Sequence, residues 1–334
     1  MHKISLIITT IASSDNYVLK KYSKICKQNN VDLIIIGDRK SPSQFKLDGS
    51  KYFSINKQIS LNFRSAKLLH ENHYSRKNLG YLIAIKNKAN KIYETDDDNI
   101  PLKNFFNYKK NSVNKSYTFR NSGWLNVYKF FTKENIWPRG FALEELKNKL
   151  PAKKKITINN SPIQQGLADL NPDVDAIYRL TNPLPIRFKN SADLALADGS
   201  ICPFNSQNTC WYEPAYPLMY LPSYCSFRMT DIWRSFIAQR IAWTCDWSVL
   251  FHKPTVIQKR NEHNLMKDFS DEISGYNNNY SLMKNLISLK LNSGQKNIKQ
   301  NMFLCYEKLI DMKIINKKEI KLLVAWFKDL ENIN

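Results

Sequence analysis

The stretch Ile92-Tyr93-Glu94-Thr95-Asp96-Asp97-Asp98-Asn99 decides how this chain is read. An apolar lead-in ends in three consecutive carboxylates. Like charges side by side repel one another and are most stable with positive charge among them. Hard divalent cations take oxygen ligands, and magnesium commonly keeps one or two carboxylates together with substrate phosphates. A solvated acidic loop is the competing reading, since charge runs often serve only solubility. On an extended backbone Glu94, Asp96 and Asp98 share one face and Thr95 and Asp97 the other, so the run contains a D-x-D arrangement. A turn beginning at Asp97 would change that pairing.

The residues before the run alternate in character. Ile4 to Thr10 and Val31 to Ile36 are apolar, strand-like runs, and Tyr52-Phe53-Ser54-Ile55 is a shorter one. Tyr17 to Gln28 and Tyr81 to Ala89 have helical spacing, and Lys91 to Glu94 is a strand that enters the acidic run. Strand–helix–strand alternation predicts an α/β domain with a mostly parallel sheet. Ligands of such sheets bind beyond the carboxyl ends of strands. Three polar strand ends are therefore site candidates: Thr9-Thr10, Gly37-Asp38 and Asp96 to Asp98. From about 100 to 260 the sequence is richer in Trp, Pro, Asn and Tyr, with Asp231 to Trp243 as a helical segment. Its six tryptophans, Trp124 to Trp247, read mainly as an aromatic core. Asn277-Asn278-Asn279 reads as a loop, and Ser281 to Leu291, Gln300 to Met312 and Lys318 to Leu330 as amphipathic helices. This tail carries ten lysines against five acidic residues over 276–334, and packing against the main domain is expected over lying on a membrane.

Composition bounds the partners. The chain has 334 residues, 50 basic against 29 acidic, for a formal charge of +21. Such a charge attracts polyanions, membrane surfaces or phosphorylated substrates. No nucleic-acid module is visible, so a nucleic acid is not the expected partner. The six cysteines form no CxxC pair, which argues against zinc ribbons and redox motifs and for free thiols. Ile4 to Thr10 lacks signal-peptide form, and no window approaches the apolar length of a membrane span. The expectation is a soluble cytoplasmic protein, peripheral to the inner membrane face if it touches a membrane at all.

Several motifs in one order carry a resemblance. Tyr74-Ser75-Arg76-Lys77-Asn78-Leu79-Gly80-Tyr81 leads into the acidic stretch. Val127-Tyr128, Trp137-Pro138-Arg139-Gly140, Ser161 to Asp169, Pro172 to Leu180 and Pro203 to Thr209 follow. Phe227-Arg228, Thr230 to Arg234 and Arg260-Asn261-Glu262-His263 end the series. Over roughly residues 3–270 the chain resembles the STELLO-type glycosyltransferase-like proteins, the DUF288 family; the tail after 276 adds nothing to the likeness. The resemblance implies a GT-A glycosyltransferase fold, a Rossmann-like mostly parallel sheet flanked by helices. The expected division is a GT-A domain at 1–275, with a nucleotide-sugar half at 1–100 and an acceptor half at 101–275, then a C-terminal helical extension at 276–334.

The resemblance also distributes roles. Thr9, Thr10 and Asp38 would hold the nucleotide, Asp38 through base or ribose unless it only forms the turn after Gly37. Arg76 and Lys77 suit a diphosphate, with Arg260 as a further phosphate ligand. Asp96 and Asp98 would hold Mn2+ or Mg2+, Asp97 would contact the donor, and His263 would complete the metal shell. Asp231, at the start of its helix, is either an N-cap or the general base that deprotonates the acceptor. Gln164, Gln165, Asp169, Asn205, Gln207, Asn208 and Trp233 are the acceptor-side candidates. Asp173 and Asp175 form a second, lower-ranked metal pair.

The expected activity is metal-dependent, inverting transfer of a sugar from a nucleotide-diphosphate donor to a glycan or lipid-linked acceptor, in bacterial surface polysaccharide or lipopolysaccharide synthesis. A nucleotide-sugar mutase or a nucleotidyltransferase on the same fold is the enzyme alternative. Thr9-Thr10-Ile11-Ala12-Ser13-Ser14 has no glycine, which counts against the phosphate loop of a nucleotidyltransferase. A non-catalytic partner of a polysaccharide synthase is the alternative from another class.

Overall fold

The computed structural model describes residues 3–106, 112–153, 155–259 and 264–333. Its first part runs β1 (Ile4–Thr9), α1 (Tyr17–Gln28), β2 (Val31–Ile36), β3 (Ser50–Phe53), α2 (Ile55–Ile59), α3 (Lys77–Lys86) and β4 (Lys91–Asp96). Next come β5 (Asn99–Pro101), β6 (Val113–Phe119), β7 (Gly123–Trp124), β8 (Ile156–Asn160), β9 (Ile163–Asp169), α4 (Ala176–Thr181) and β10 (Leu194–Leu196). The rest is β11 (Ser200–Ile201), β12 (Asn208–Tyr212), α5 (Thr230–Thr244), β13 (Val249–Gln258), α6 (Leu265–Ser288), α7 (Ile298–Asp311) and α8 (Glu319–Ile333).

Among the described residues the main sheet runs β3-β2-β1-β4-β12-β9-β13-β10-β6-β8, with β5 beside β13. Strands β3, β2, β1 and β4 are parallel, as the alternation of the first hundred residues predicts. β12 then enters antiparallel to both β4 and β9, and the far half is mixed. The result is an α/β architecture of GT-A-like form, a large sheet flanked by helices.

β1 shows why the first half is so apolar. Leu6 and Ile8 join a core with Val18, Leu19, Tyr22 and Cys26 of α1, while Ile7 faces the opposite core with Leu79, Leu82 and Ile83 of α3. A parallel strand covered by helices on both sides leaves no room for polar alternation. Gly80 lets α3 press onto the sheet, since a Cβ there would lie 2.4 Å from Ile7 Cγ2. The register then fixes the site: Thr9 pairs with Ile36 on one side and with Asp96 on the other, so three strand ends open side by side.

The C-terminal helices pack as expected. Leu282, Met302, Tyr306, Leu323 and Trp326 lie in the same core as Ile7 and Leu82. Asp329 of α8 accepts from the backbone N–H groups of Arg64 and Ser65 at 2.7 and 2.9 Å. Glu319, also buried, accepts from Ser223 and Tyr224 N–H at 3.0 and 2.7 Å and from the Tyr220 hydroxyl. One sequence expectation is corrected: Asn277-Asn278-Asn279 is not a loop but lies within α6. Asn279 is buried there, where its side chain accepts from Trp233 Nε1 at 3.0 Å and donates to the Gly140 carbonyl at 3.0 Å. Tertiary hydrogen bonds outweigh the weak helix propensity of three asparagines. All six cysteines are free.

Candidate functional site

The ends of β1, β2 and β4 form the floor of a cleft of about 460 Å³. β4 ends at Asp96, and Asp97-Asp98 form a turn before β5. The strand alternation therefore stops at Asp96, and each carboxylate has its own neighbours. Asp96 Oδ1 accepts from Lys77 Nζ at 2.9 Å and lies 3.3 Å from the Tyr74 hydroxyl. Asp97 accepts from the Thr10 hydroxyl. Asp98 Oδ2 accepts from Gln258 Nε2 at 3.0 Å, and its Oδ1 is buried without a partner among the described residues. Burial raises all three above the ordinary carboxylate range. Asp98 goes furthest, to about 7, through burial first and then the charge of Asp96.

The opposite wall comes from the 3-10 turn Phe227–Met229, the start of α5, and Arg139. Asp231 is not an N-cap: it is the second residue of α5, whose cap, Met229, makes no side-chain bond. Its carboxylate points instead into a buried knot. Arg139 reaches Asp231 with Nη1 and Nη2, each 3.1 Å from Oδ1, and Ser206 donates its N–H and hydroxyl to Oδ2 at 3.2 Å each. The same guanidinium forks onto Asp173, Nε to Oδ1 and Nη2 to Oδ2, both at 2.8 Å. Burial works against charge here, yet the Arg139 charge overrides it and holds Asp173 below the usual carboxylate range. The two carboxylates in turn raise Arg139 despite its burial. Gly140 seats this arginine: its φ is +84°, and a Cβ would meet Ile232 Cγ2 of α5 at 2.3 Å. Only glycine accepts that conformation and that approach.

The remaining candidates divide. Thr9, Thr10, Asp38, Arg76 and Gln207 line the cleft with Asp96, Asp97, Asp98 and Asp231. Asp38 also clasps its neighbouring loop, accepting from Asn72 and His73 N–H at 2.7 and 3.0 Å. Arg76 is only 2% exposed. Its Nε donates to Gln58 at 2.8 Å and Nη1 to the Leu69 carbonyl at 3.1 Å, while Nη2 has no partner. Burial lowers its pKa. Lys77 is buried and turned to Asp96, Tyr74 and the Thr95 carbonyl, so it neutralises the acidic run from below.

Six acceptor-side candidates lie away from the cleft lining. Gln164, Gln165, Asn205 and Asn208 are buried and hydrogen-bonded around the β9–β12 pair, for example Asn208 to Leu167 and Thr255 at 2.9 Å each. Asn205 still touches the knot, donating to Asp173 at 2.9 Å. Asp169 accepts from Phe188 N–H at 2.9 Å, and Trp233 is fully buried against Asn279. Asp175 turns away from Asp173 to cap α4, accepting from Tyr178 N–H at 2.7 Å and Trp137 Nε1 at 2.6 Å, so the two do not form a metal pair. Arg260 and His263 lie outside the described residues. Among the described residues no group of three or more His, Cys, Asp or Glu is placed to hold a metal. The unpartnered Asp98 Oδ1 beside Asp96 nevertheless fits a divalent cation that takes its other ligands from phosphate and water.

Sequence reasoning missed Arg139, Gln258, Tyr74 and Phe227. Arg139 had a signal in Trp137-Pro138-Arg139-Gly140, an arginine beside a glycine in a loop rich in large side chains. Tyr74 and Phe227 likewise stand in motifs of the resemblance, and Gln258 reaches the cleft only through the fold.

Fold and cleft together define an α/β protein of GT-A-like architecture with carboxylates on two facing walls. The chain is similar to the STELLO glycosyltransferases. Their family model, "STELLO glycosyltransferases", matches residues 228–334, from the Asp231 wall through α8, so the likeness extends into the tail. "Probable glycosyltransferase STELLO2" of Arabidopsis thaliana is 27% identical over 96% of this chain and 44% of its own length. "Probable glycosyltransferase STELLO1" of the same plant is 28% identical over 73% of this chain and 34% of its own length. The chain thus spans less than half the length of these curated relatives. A solved structure titled "Crystal Structure of a Mycobacterial Protein" aligns over 83% of this chain and 74% of its own, at 9% identity and a TM-score of 0.41. Among the described residues no helix is long and apolar enough to cross a membrane.

Proposed function

We propose that the chain is a metal-dependent glycosyltransferase that moves a sugar from a nucleotide-diphosphate donor to a hydroxyl of a glycan or lipid-linked acceptor. The observation that carries this reading is the facing of Asp96, Asp97 and Asp98 by Asp231 and Arg139 across one cleft. Asp96 and Asp98 would hold Mn2+ or Mg2+, with His263 as a further ligand. The cation would supply the positive charge that a departing diphosphate needs. Thr9, Thr10 and Asp38 lie where the nucleoside would run along the strand ends, with Arg76 beside Asp38. Asp231 takes the proton of the acceptor hydroxyl, whose oxygen attacks the anomeric carbon as the bond to the diphosphate breaks, with inversion. Arg139 and Ser206 fix the orientation of that carboxylate, and one of their hydrogen bonds to it gives way as the proton arrives. The formal charge of +21 favours a lipid-linked, anionic acceptor, as in bacterial surface polysaccharide or lipopolysaccharide synthesis.

Thermal shift with a panel of nucleoside diphosphates, with and without manganese, tests the reading. A manganese-dependent shift is expected in the wild type and absent in Asp98→Ala. No such shift in the wild type, or an unchanged one in the variant, would sink the metal assignment.

A further inference from the structure

The far edge of the sheet is inside out. β10 reaches β6 only over Tyr117 to Phe119, so Val113 to Ser116 and β8 project as a two-stranded ribbon. Residues paired across an antiparallel ladder point to the same face. Val113, Lys115 and Tyr117 of β6 therefore share a face with Asn160, Ile158 and Ile156 of β8. That face is the exposed one: Val113 is 56%, Ile156 54% and Ile158 69% exposed. The other, more covered face is polar and satisfied within itself. Thr118 and Thr157 share a hydrogen bond of 2.5 Å, and Asn159 Nδ2 donates to Thr118 Oγ1 at 2.7 Å and to Ser116 Oγ at 3.1 Å. Three β-branched aliphatics standing in water, while their strands turn hydroxyls and amides inward, reverse the usual arrangement of a half-buried sheet.

The charges on the exposed face say what covers it. Lys115 lies directly opposite Ile158, Lys155 is exposed at the entry to β8, and Lys153 Nζ sits 5.4 Å over the Tyr117 ring. Aliphatics flanked by lysines and an aromatic suit the boundary between acyl chains and anionic headgroups, where lysine stems lie along apolar surface and their ammonium groups meet phosphate. The chain's +21 charge adds attraction in the same direction. We propose that the β6–β8 ribbon docks the protein on an anionic lipid surface. This inference stands apart from the glycosyl-transfer reading and concerns a different part of the molecule.

The test is partition into large vesicles of phosphatidylcholine alone or with about one-third phosphatidylglycerol, the lipid fraction being a design choice at moderate salt. Wild-type protein should bind the anionic vesicles about tenfold or more tightly than the neutral ones. Ile156→Ser with Ile158→Ser, and separately Lys115→Glu, should each lower that binding about tenfold. Lys24→Glu, the same charge change on the exposed side of α1, should lower it far less. The mutated side chains are solvent-exposed, so an unchanged melting temperature shows that the fold is intact. Absent vesicle binding, or binding indifferent to the ribbon variants, overturns the proposal. So does a concentration-dependent dimer by light scattering that the Ile158→Ser change abolishes, since the ribbon would then pair with a second copy.

Discussion

Glu94 lies within β4 and Asp98 just past its end, and the protein treats the two carboxylates in opposite ways. Glu94 is fully buried, yet each of its oxygens is occupied. Arg234 forks onto it at 2.9 Å to either oxygen, Trp211 Nε1 donates at 2.8 Å, and the Tyr81 hydroxyl donates as well. Asp98 is partly open to the cleft and, among the described residues, has one amide donor and one oxygen without a partner. A carboxylate that belongs to the architecture has its charge answered inside the fold. One that belongs to a site is left under-answered, so that a ligand can supply the rest.

The contrast can be broken in four ways, from the largest effect to the smallest. Glu94→Gln strands Arg234 as a buried, unpaired cation and should cost about 3–5 kcal/mol in chemical denaturation, with nucleotide affinity of the folded fraction little changed. Asp98→Ala should instead leave denaturation nearly unaltered while manganese-dependent donor hydrolysis falls about 100-fold or more. If Asp98→Ala unfolds the protein and Glu94→Gln does not, the contrast is reversed and the site misplaced. Arg139→Lys keeps the charge but loses the fork that spans Asp173 and Asp231, and kcat/KM should drop about tenfold. The smallest effect is in pH. The carboxyl of Asp98 rises from 3.8 to about 7, so the folded state holds its proton the tighter. The stability gained from a neutral Asp98 is full below about pH 4 and lost as pH rises through about 7. Asp98→Asn should therefore melt closest to the wild type near pH 4 and gain on it progressively, by about 2–4 °C more at pH 8 than at pH 5, with manganese closing the gap by raising only the wild type.

Much of one half of the site was legible in the sequence. β1, β2 and β4 are apolar runs with polar ends, and a parallel sheet brings such ends together, so Thr9, Thr10, Asp38 and Asp96 to Asp98 could be placed without coordinates. Lys77 shows where charge alone misleads: an adjacent basic pair reads as phosphate-binding, but the junction of the 3-10 turn Tyr74–Arg76 with α3 aims Arg76 and Lys77 at different partners. The opposite wall was hidden for a physical reason. Asp231 meets Arg139 across 92 residues, through a loop whose shape depends on Gly140 lying against Ile232. No local periodicity encodes such a contact. The acceptor-side amides misled for a related cause. Gln164, Gln165 and Asn208 look like sugar ligands by composition, yet they satisfy backbone and hydroxyl groups where β12 enters the sheet antiparallel to β4 and β9.

The grip of Asp329 on Arg64 and Ser65 has a bearing on how the protein comes to be. That contact spans 264 residues of chain, so during synthesis the loop between β3 and α3 must wait for α8 before its backbone donors find their acceptor. The strand-end side of the cleft is translated early and secured late. A nascent chain halted within α7 would present a formed sheet with an unfastened rim, which is a form for chaperones and proteases to recognise.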